Sequence, residues 1–258
     1  MFVTTAGRTN DEMVYQAREI AARLMVEYIP RKKRSIKAIQ EMKQQDCLVI
    51  GKDRLELFPL GESEPFFFHP NSAMFRIKRL MKGETDPMIA AAKLEKGMSF
   101  LDCTLGLGAD SIVASYVVGS KGIIKGIEAR KALAFIVSDG LKTWDSGIES
   151  INHAMRNIEV VESVSLEYLK LQPDNSFDCV YFDPMFETTI VESDGIRRLS
   201  HFAAYEGISK EMIEQAHRVA RRRVVLKDHF RSPRFARFNF KVIQRKSAKF
   251  HFGVIEKE

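Results

Sequence analysis

The segment "DCVYFDPMFE" at residues 178–187 places a carboxylate, a proline and an aromatic directly after an apolar run. A run that stops on Asp183-Pro184 reads as a buried strand ending at a sheet edge, with Phe186 exposed just beyond it. The Asp183 side chain and the Pro184 carbonyl are two acceptors, and the proline ring fixes their backbone at little entropic cost. That pair suits an exocyclic amine whose nitrogen lone pair is delocalised into a ring. Accepting both N–H hydrogens localises the lone pair for attack. Phe186 can stack on a flipped base, a contact worth about 1–3 kcal/mol. Asp183, Pro184 and Phe186 form the candidate catalytic set.

A second constellation lies upstream. "FLDCTLGLGADS" runs from a strand through Gly106 and Gly108 into a helix. Glycines there allow a tight turn and close approach of a ligand, and the helix N–H groups then face it. Asp110 falls in the first helical turn, where it either caps the helix or touches the ligand. "IIKGIEAR" ends the next strand on Glu128, about 20 residues after the glycines, where a carboxylate can accept from both ribose hydroxyls. NAD and S-adenosylmethionine both use this arrangement. Asp102, at the end of the first strand, favours the second, because it suits a ligand with a free amino group and a sulfonium.

The elements that must hold these residues fall into two zones. Residues 1–92 read as a small α+β module. It has a strand at "FVTTAG", a helix capped by Asn10 and ended by Pro30, a second helix capped by Ser35, and a hairpin of "CLVIG" and "RLELF". The stretch "PFFFHPNSAMFRIKRLMKGETDP" reads as a loop, followed by a helix capped at Thr85 or Asp86 with Pro87 in its first turn. Residues 93–258 alternate regularly. Strands at "SFLDCT", "IIKGIE", "IEVVES", "FDCVYFD" and "RRVVLKD" are apolar throughout, as in a parallel sheet covered on both faces. "FKVIQRKSAKFHFGVIEK" has no room for a crossover helix and predicts an antiparallel hairpin at the edge. The expected class is α/β, a Rossmann-like and mostly parallel sheet with that terminal hairpin.

Composition narrows the rest. The 258 residues carry a net charge of +6, with 45% hydrophobic and 29% charged residues. No apolar run approaches the roughly 20 residues that span a bilayer, and the N-terminus lacks a secretory pattern, so a cytoplasmic location is expected. Cys47, Cys103 and Cys179 are too scattered for a metal site and read as buried hydrophobes. Basic runs occur at 31–34 "RKKR", 75–80 "FRIKRL", 221–223 "RRR" and 231–237 "RSPRFAR". They fit a nucleic-acid partner without requiring one. Before the glycine loop, His69 and Asn71 are candidates for the substrate side and Arg76 for phosphate contact. Lys227, ending the fifth strand, either contacts phosphate or is a polar strand terminus.

These residues are recognisable together. "LDCTLGLGADS", "IEAR", "SDGL" (138–141), "VYFDPMF" and "RRVVLKD" resemble the class I S-adenosylmethionine-dependent methyltransferases. They are most similar to the small-subunit ribosomal RNA guanine-N2 methyltransferases designated RsmJ. The resemblance covers about residues 70–258, and the chain departs from that pattern at Ala109, Ala129 and Glu187. It implies that Gly106, Gly108, Ala109, Asp110, Glu128, Asp183 and the segment around Ser163 and Ser165 contact S-adenosylmethionine. The resulting expectation is an N-methyltransferase acting on a base in structured RNA, with ribosomal RNA first. The basic N-terminal module would grip phosphates. A DNA or protein-amide acceptor, a non-catalytic nucleotide-binding scaffold and an NAD-dependent oxidoreductase remain alternatives.

Overall fold

The computed structural model describes residues 1–184, 207–245 and 248–257. The chain begins with β1 (Phe2–Thr5), α1 (Asp11–Leu24), β2 (Glu27–Tyr28), α2 (Ile36–Lys43), β3 (Cys47–Ile50) and β4 (Leu55–Phe58). They form a four-stranded sheet of order β2-β1-β3-β4, in which β1 runs parallel to β2 and β3, and β4 is antiparallel. The expected caps are present. The Asn10 side chain accepts from the Met13 amide at 2.9 Å, and Ser35 Oγ from the Ala38 amide at 3.0 Å. Pro30 does not end α1. Met25 does, in the left-handed region at φ 53°, and so frees Glu27 and Tyr28 to pair with β1.

Residues 71–81 correct the expected loop. They form helix α3 (Asn71–Met81), which starts directly after Pro70. Proline and asparagine mark the start of this helix rather than interrupt it, and no glycine or proline follows for ten residues. Its buried positions Ala73 and Ile77 join the core. Helix α4 (Pro87–Ala92) follows, with Asp86 accepting from the Met88 and Ile89 amides.

The larger sheet contains β5 (Ser99–Asp102), β6 (Ile123–Glu128), β7 (Ile158–Glu162), β8 (Phe177–Phe182), β9 (Ala220–His229), β10 (Lys241–Ile243) and β11 (Phe250–Glu256). Around it lie α5 (Ala109–Val118), α6 (Lys131–Thr143), α7 (Glu149–Arg156), α8 (Ser165–Leu171), α9 (Lys210–Val219) and α10 (Arg234–Arg237). The order is β10-β11-β9-β8-β5-β6-β7. The five strands from β5 to β9 run parallel, and β11 is antiparallel to both β9 and β10. The expected class therefore holds, including the antiparallel terminal pair. β5 and β8 are buried at every position, as strands covered on both faces must be.

One core runs through both zones. Leu48, Leu57, Phe66 and Phe68 belong to the same buried cluster as Phe100, Val137 and Tyr181. The junction explains a glycine inside a helix, which costs about 0.5–1 kcal/mol relative to alanine. A Cβ on Gly140 of α6 would overlap the Phe68 ring, so the glycine admits that ring against the helix. Phe66 and Phe68 are buried and Phe67 half-buried, as expected for two core residues of three. The three cysteines are buried and unpaired, and burial pushes the Cys47 thiol up to about 12. Among the described residues no helix is long and apolar enough to cross a membrane.

Candidate active site

Parallel strands β5, β6, β8 and β9 end on one edge of the larger sheet, and each carries a charged residue there: Asp102, Glu128, Asp183 just past β8, and Lys227 near the end of β9. This is the edge where open α/β sheets bind ligands. The turn from β5 to α5 supplies its floor. Gly106 and Gly108 sit at φ 50° and 74°, a region that side chains with a Cβ enter only under strain. Gly108 caps α5 without a side chain, which leaves the first amides of the helix facing outward.

Asp102 anchors the turn from below. It is 1% exposed and accepts from the Thr104 amide at 3.0 Å, Thr104 Oγ1 at 3.3 Å and Ser111 Oγ at 2.7 Å. Burial pushes its carboxyl up to about 7, against the pull of those donors and with further push from Asp110. Thr104 also accepts from the Asp183 amide at 2.6 Å, tying the Asp-Pro turn to the glycine loop.

Asp110 and Asp183 share an ammonium. Lys227 Nζ lies 2.5 Å from Asp183 and 3.3 Å from Asp110. Burial works against the Lys227 charge, but the two carboxylates outweigh it and raise its pKa above the usual lysine range. Asp110 also accepts from Tyr181 Oη at 2.8 Å and pairs with Arg76. Burial opposes its ionisation, yet Lys227 and Arg76 hold it below the usual carboxylate range. For Asp183 the balance goes the other way. Burial and the Asp110 carboxylate exceed the pull of Lys227 and push it up to about 6, while 27% of its side chain stays exposed.

Several expectations change in position. Arg76, expected at phosphate, instead forms a bidentate pair with Asp86 at 2.8 and 2.9 Å and turns its remaining nitrogen to Asp110. It locks α3 and α4 onto α5. Removing one partner of such a buried pair costs about 3–5 kcal/mol. Lys227 faces carboxylates rather than the open surface. Asp110, left open between cap and ligand contact, is the hub of the ion-pair cluster.

The remaining candidates lie around this cluster. Ala109 opens α5 beside the glycines. Glu128 accepts from the Arg130 amide at 3.0 Å, and burial raises its pKa despite that amide and the Arg130 charge. The Ser163 amide donates to the Glu128 carbonyl at 3.1 Å, and Ser165 Oγ to the Cys103 carbonyl at 2.5 Å, so both serines brace the same edge. His69 is half-buried, edge-on to Phe67 with centroids 5.6 Å apart, and Asn71 is exposed at the start of α3. Pro184 is half-buried at the rim, while Phe186 lies outside the described residues. Thr104, Ser111, Tyr181 and Asp86 were not legible as site residues. Only their partners across the fold give them a role, although Thr104, two residues after a strand-ending aspartate, was the one with a local cue.

The donor set fits S-adenosylmethionine. Among the described residues Arg76 and Lys227 pair with Asp86, Asp110 and Asp183, and the Arg130 charge acts on Glu128, so the five carboxyls, with Asp102, outnumber the cations around them. Three of those carboxyls, Asp102, Glu128 and Asp183, are raised. A ligand bearing a sulfonium and an ammonium relieves that surplus, and Glu128 stands where a ribose is held.

Comparison with known proteins agrees. The family described as "Putative SAM-dependent methyltransferase" matches residues 31–252. A Bacillus subtilis (strain 168) relative described as "Uncharacterized protein YpiP" is 45% identical over 254 residues, covering 98% of both chains. Ribosomal RNA small subunit methyltransferase J of Actinobacillus succinogenes is 26% identical over 151 residues, 57% of this chain and 56% of that one. The Neisseria gonorrhoeae SAM-dependent methyltransferase NGO1261 superposes with a TM-score of 0.66 at 18% identity, over 99% of this chain and 96% of its own. That likeness is one of fold. The chain belongs to the SAM-dependent methyltransferase family, and its cofactor is S-adenosylmethionine.

Proposed function

We propose that this methyltransferase acts on an exocyclic amino group of a nucleobase, a guanine or adenine in structured, ribosomal RNA. The carrying observation is the position of Asp183. It is partly exposed at the rim, tied through its own amide to Thr104 of the glycine loop and through its carboxylate to Lys227. An acceptor amine held there lies beside the cofactor floor. S-adenosylmethionine supplies an electrophilic methyl group when bound.

In this reading Asp183 and the Pro184 carbonyl accept the two amine hydrogens and direct the nitrogen lone pair. Lys227 fixes the carboxylate in place. A nitrogen that gains a methyl must lose a proton, and a carboxyl raised to about 6 is suited to receive it and pass it to water. Phe186 would stack on the base, and the 1–92 module would contact phosphates. The named activity of the Actinobacillus relative supports an RNA acceptor. The test is a mass-spectrometric comparison of RNA nucleosides from cells with and without the gene, with transfer of labelled methyl to the unmodified RNA. Loss of one methylated nucleoside names the base. An unchanged RNA profile, with a methyl lost from DNA or protein, refutes the acceptor class.

A further inference from the structure

Beside Asp183, where β9 ends and β11 begins, a group of rings and cations reaches from the margin of the core, against which Phe250 packs, out to water at Phe230. His229 and Phe250 face each other across the strand pair. Phe230 is 42% exposed, with its ring 4.5 Å from His229 and 6.1 Å from His251. The Arg231 guanidinium lies 5.0 Å from the Phe230 centroid. The half-buried Phe250 ring is approached by Arg245 at 4.6 Å and by Lys227 at 5.1 Å. Since Lys227 also holds Asp183, the group begins at the reacting carboxylate. Arg245 Nη1 is buried and has no hydrogen-bond partner among the described residues, an unmet demand that an anion would satisfy.

A phenylalanine that merely closes a core lies under apolar neighbours, as Phe252 within β11 does. Phe230 instead has imidazoles and a guanidinium about its ring and water on the rest. Exposed rings interleaved with arginines are the composition of a single-stranded nucleic-acid platform, in which bases stack and cations meet phosphates. A duplex hides its base faces from such rings, and an acidic peptide would leave them without planar partners.

We infer that this ledge of Phe230, His229, His251, Phe250, Arg231 and Arg245 binds the unpaired nucleotides of the RNA strand next to the acceptor base. The inference rests on the proposed RNA acceptor and names how that acceptor is held. Bases adjacent to the target stack on Phe230 and Phe250, and the intervening phosphates meet Arg231 and Arg245.

The test uses the full chain, with methyl transfer to RNA from cells lacking the gene and binding of a labelled single-stranded polyadenylate oligonucleotide. Phe230→Ala should raise KM for RNA and weaken oligonucleotide binding about tenfold or more. Arg231→Gln should lower the dependence of log affinity on log salt by about one phosphate contact. Binding of S-adenosylhomocysteine reports that each variant is folded. Methyl transfer by wild type with unchanged KM and oligonucleotide affinity in both variants overturns the ledge and leaves the RNA reading intact. Failure of wild type to methylate any RNA overturns that reading and the ledge with it.

Discussion

Two sheets in this molecule are built alike and charged oppositely. In each, parallel strands end at one edge and hand over to loops. At the larger edge stand Asp102, Glu128 and Asp183, buried or half-buried among few cations. At the smaller edge, Arg8 follows β1, Arg31 to Arg34 follow β2, and Lys52 follows β3. Lys32 and Lys33 both lie in the left-handed region, at φ 46° and 64°, in a turn closed by the Arg34 amide on the Arg31 carbonyl at 2.9 Å. Glycine or asparagine normally takes such positions. Here the arginines hold the turn, with Arg31 Nε on the Arg34 carbonyl and Arg34 Nη2 on the Pro30 carbonyl, each at 3.0 Å. The comparison teaches that edge geometry marks where an α/β unit meets a ligand, while the charge there marks the sign of that ligand. A cationic cofactor belongs at the first edge and, in our proposal, RNA phosphates at the second.

The sharpest break of this contrast is at Asp183. Asp183→Ala should lower kcat about a hundred- to a thousandfold, the scale on which loss of a preorganised polar contact acts. It should also weaken cofactor binding. Phe186→Ala should raise KM for RNA about tenfold with cofactor affinity kept. Full activity in the Phe186 variant would remove the stacking argument.

A smaller effect tests the sign of the first ligand. Asp102 and Asp183, raised to about 7 and about 6, are partly protonated in the free protein at slightly acid pH. A cation beside them lowers both, so binding releases protons and tightens as pH rises from about 5.5 to 7.5. Calorimetry in buffers of different ionisation enthalpy should show that release for S-adenosylmethionine. It should be smaller for S-adenosylhomocysteine, which has a neutral sulfur. Equal proton release by both would break the assignment of the surplus carboxylates to the sulfonium. Glu128→Ala should weaken both ligands about tenfold, since both carry the ribose.

At the other edge, replacing Arg31, Lys32, Lys33 and Arg34 with neutral residues should weaken RNA binding and flatten its salt dependence, with cofactor affinity unchanged. An unaltered salt slope would detach the small sheet from the substrate.

The sequence revealed one edge better than the other for physical reasons. Gly106, Gly108 and Glu128 announce themselves because a turn with positive φ and a carboxylate one strand later are local signals. β5 and β8 were legible because strands covered on both faces are mostly apolar. The ion pairs of Arg76 were not legible because its partners, Asp86 and Asp110, lie ten and 34 residues away. Its neighbours Lys78 and Arg79 do lie exposed on the surface, and Arg76 alone turns inward. Tyr181 sits inside an apolar strand, and nothing local shows that its hydroxyl reaches Asp110. The short β2 was invisible because two residues carry no periodicity. The left-handed lysine turn violates the composition rule from which turns are read.

The last and smallest effect concerns what each edge costs the fold. Asp102 is 1% exposed and its carboxyl is raised, so between its unfolded value near 3.8 and its folded value near 7 the native state holds a proton that the unfolded chain has lost. Stability from this group is therefore greatest at low pH and falls as pH rises through that window, then levels off above about 7. Asp102→Asn removes this slope and keeps an oxygen to accept from Thr104 and Ser111. Its stability relative to wild type should thus improve steadily from about pH 5 to 7 and stay constant beyond, even as cofactor affinity drops. The basic edge should behave differently. Arg8, Lys32, Lys33 and Lys52 are water-exposed and form no ion pair among the described residues, so neutralising Lys32 and Lys33 should shift stability by no more than about 0.5 kcal/mol per residue. Parallel urea titrations across that pH range measure both. If Asp102→Asn tracks wild type at every pH, the acidic edge carries no such cost, and its charge is not held in reserve for a cation.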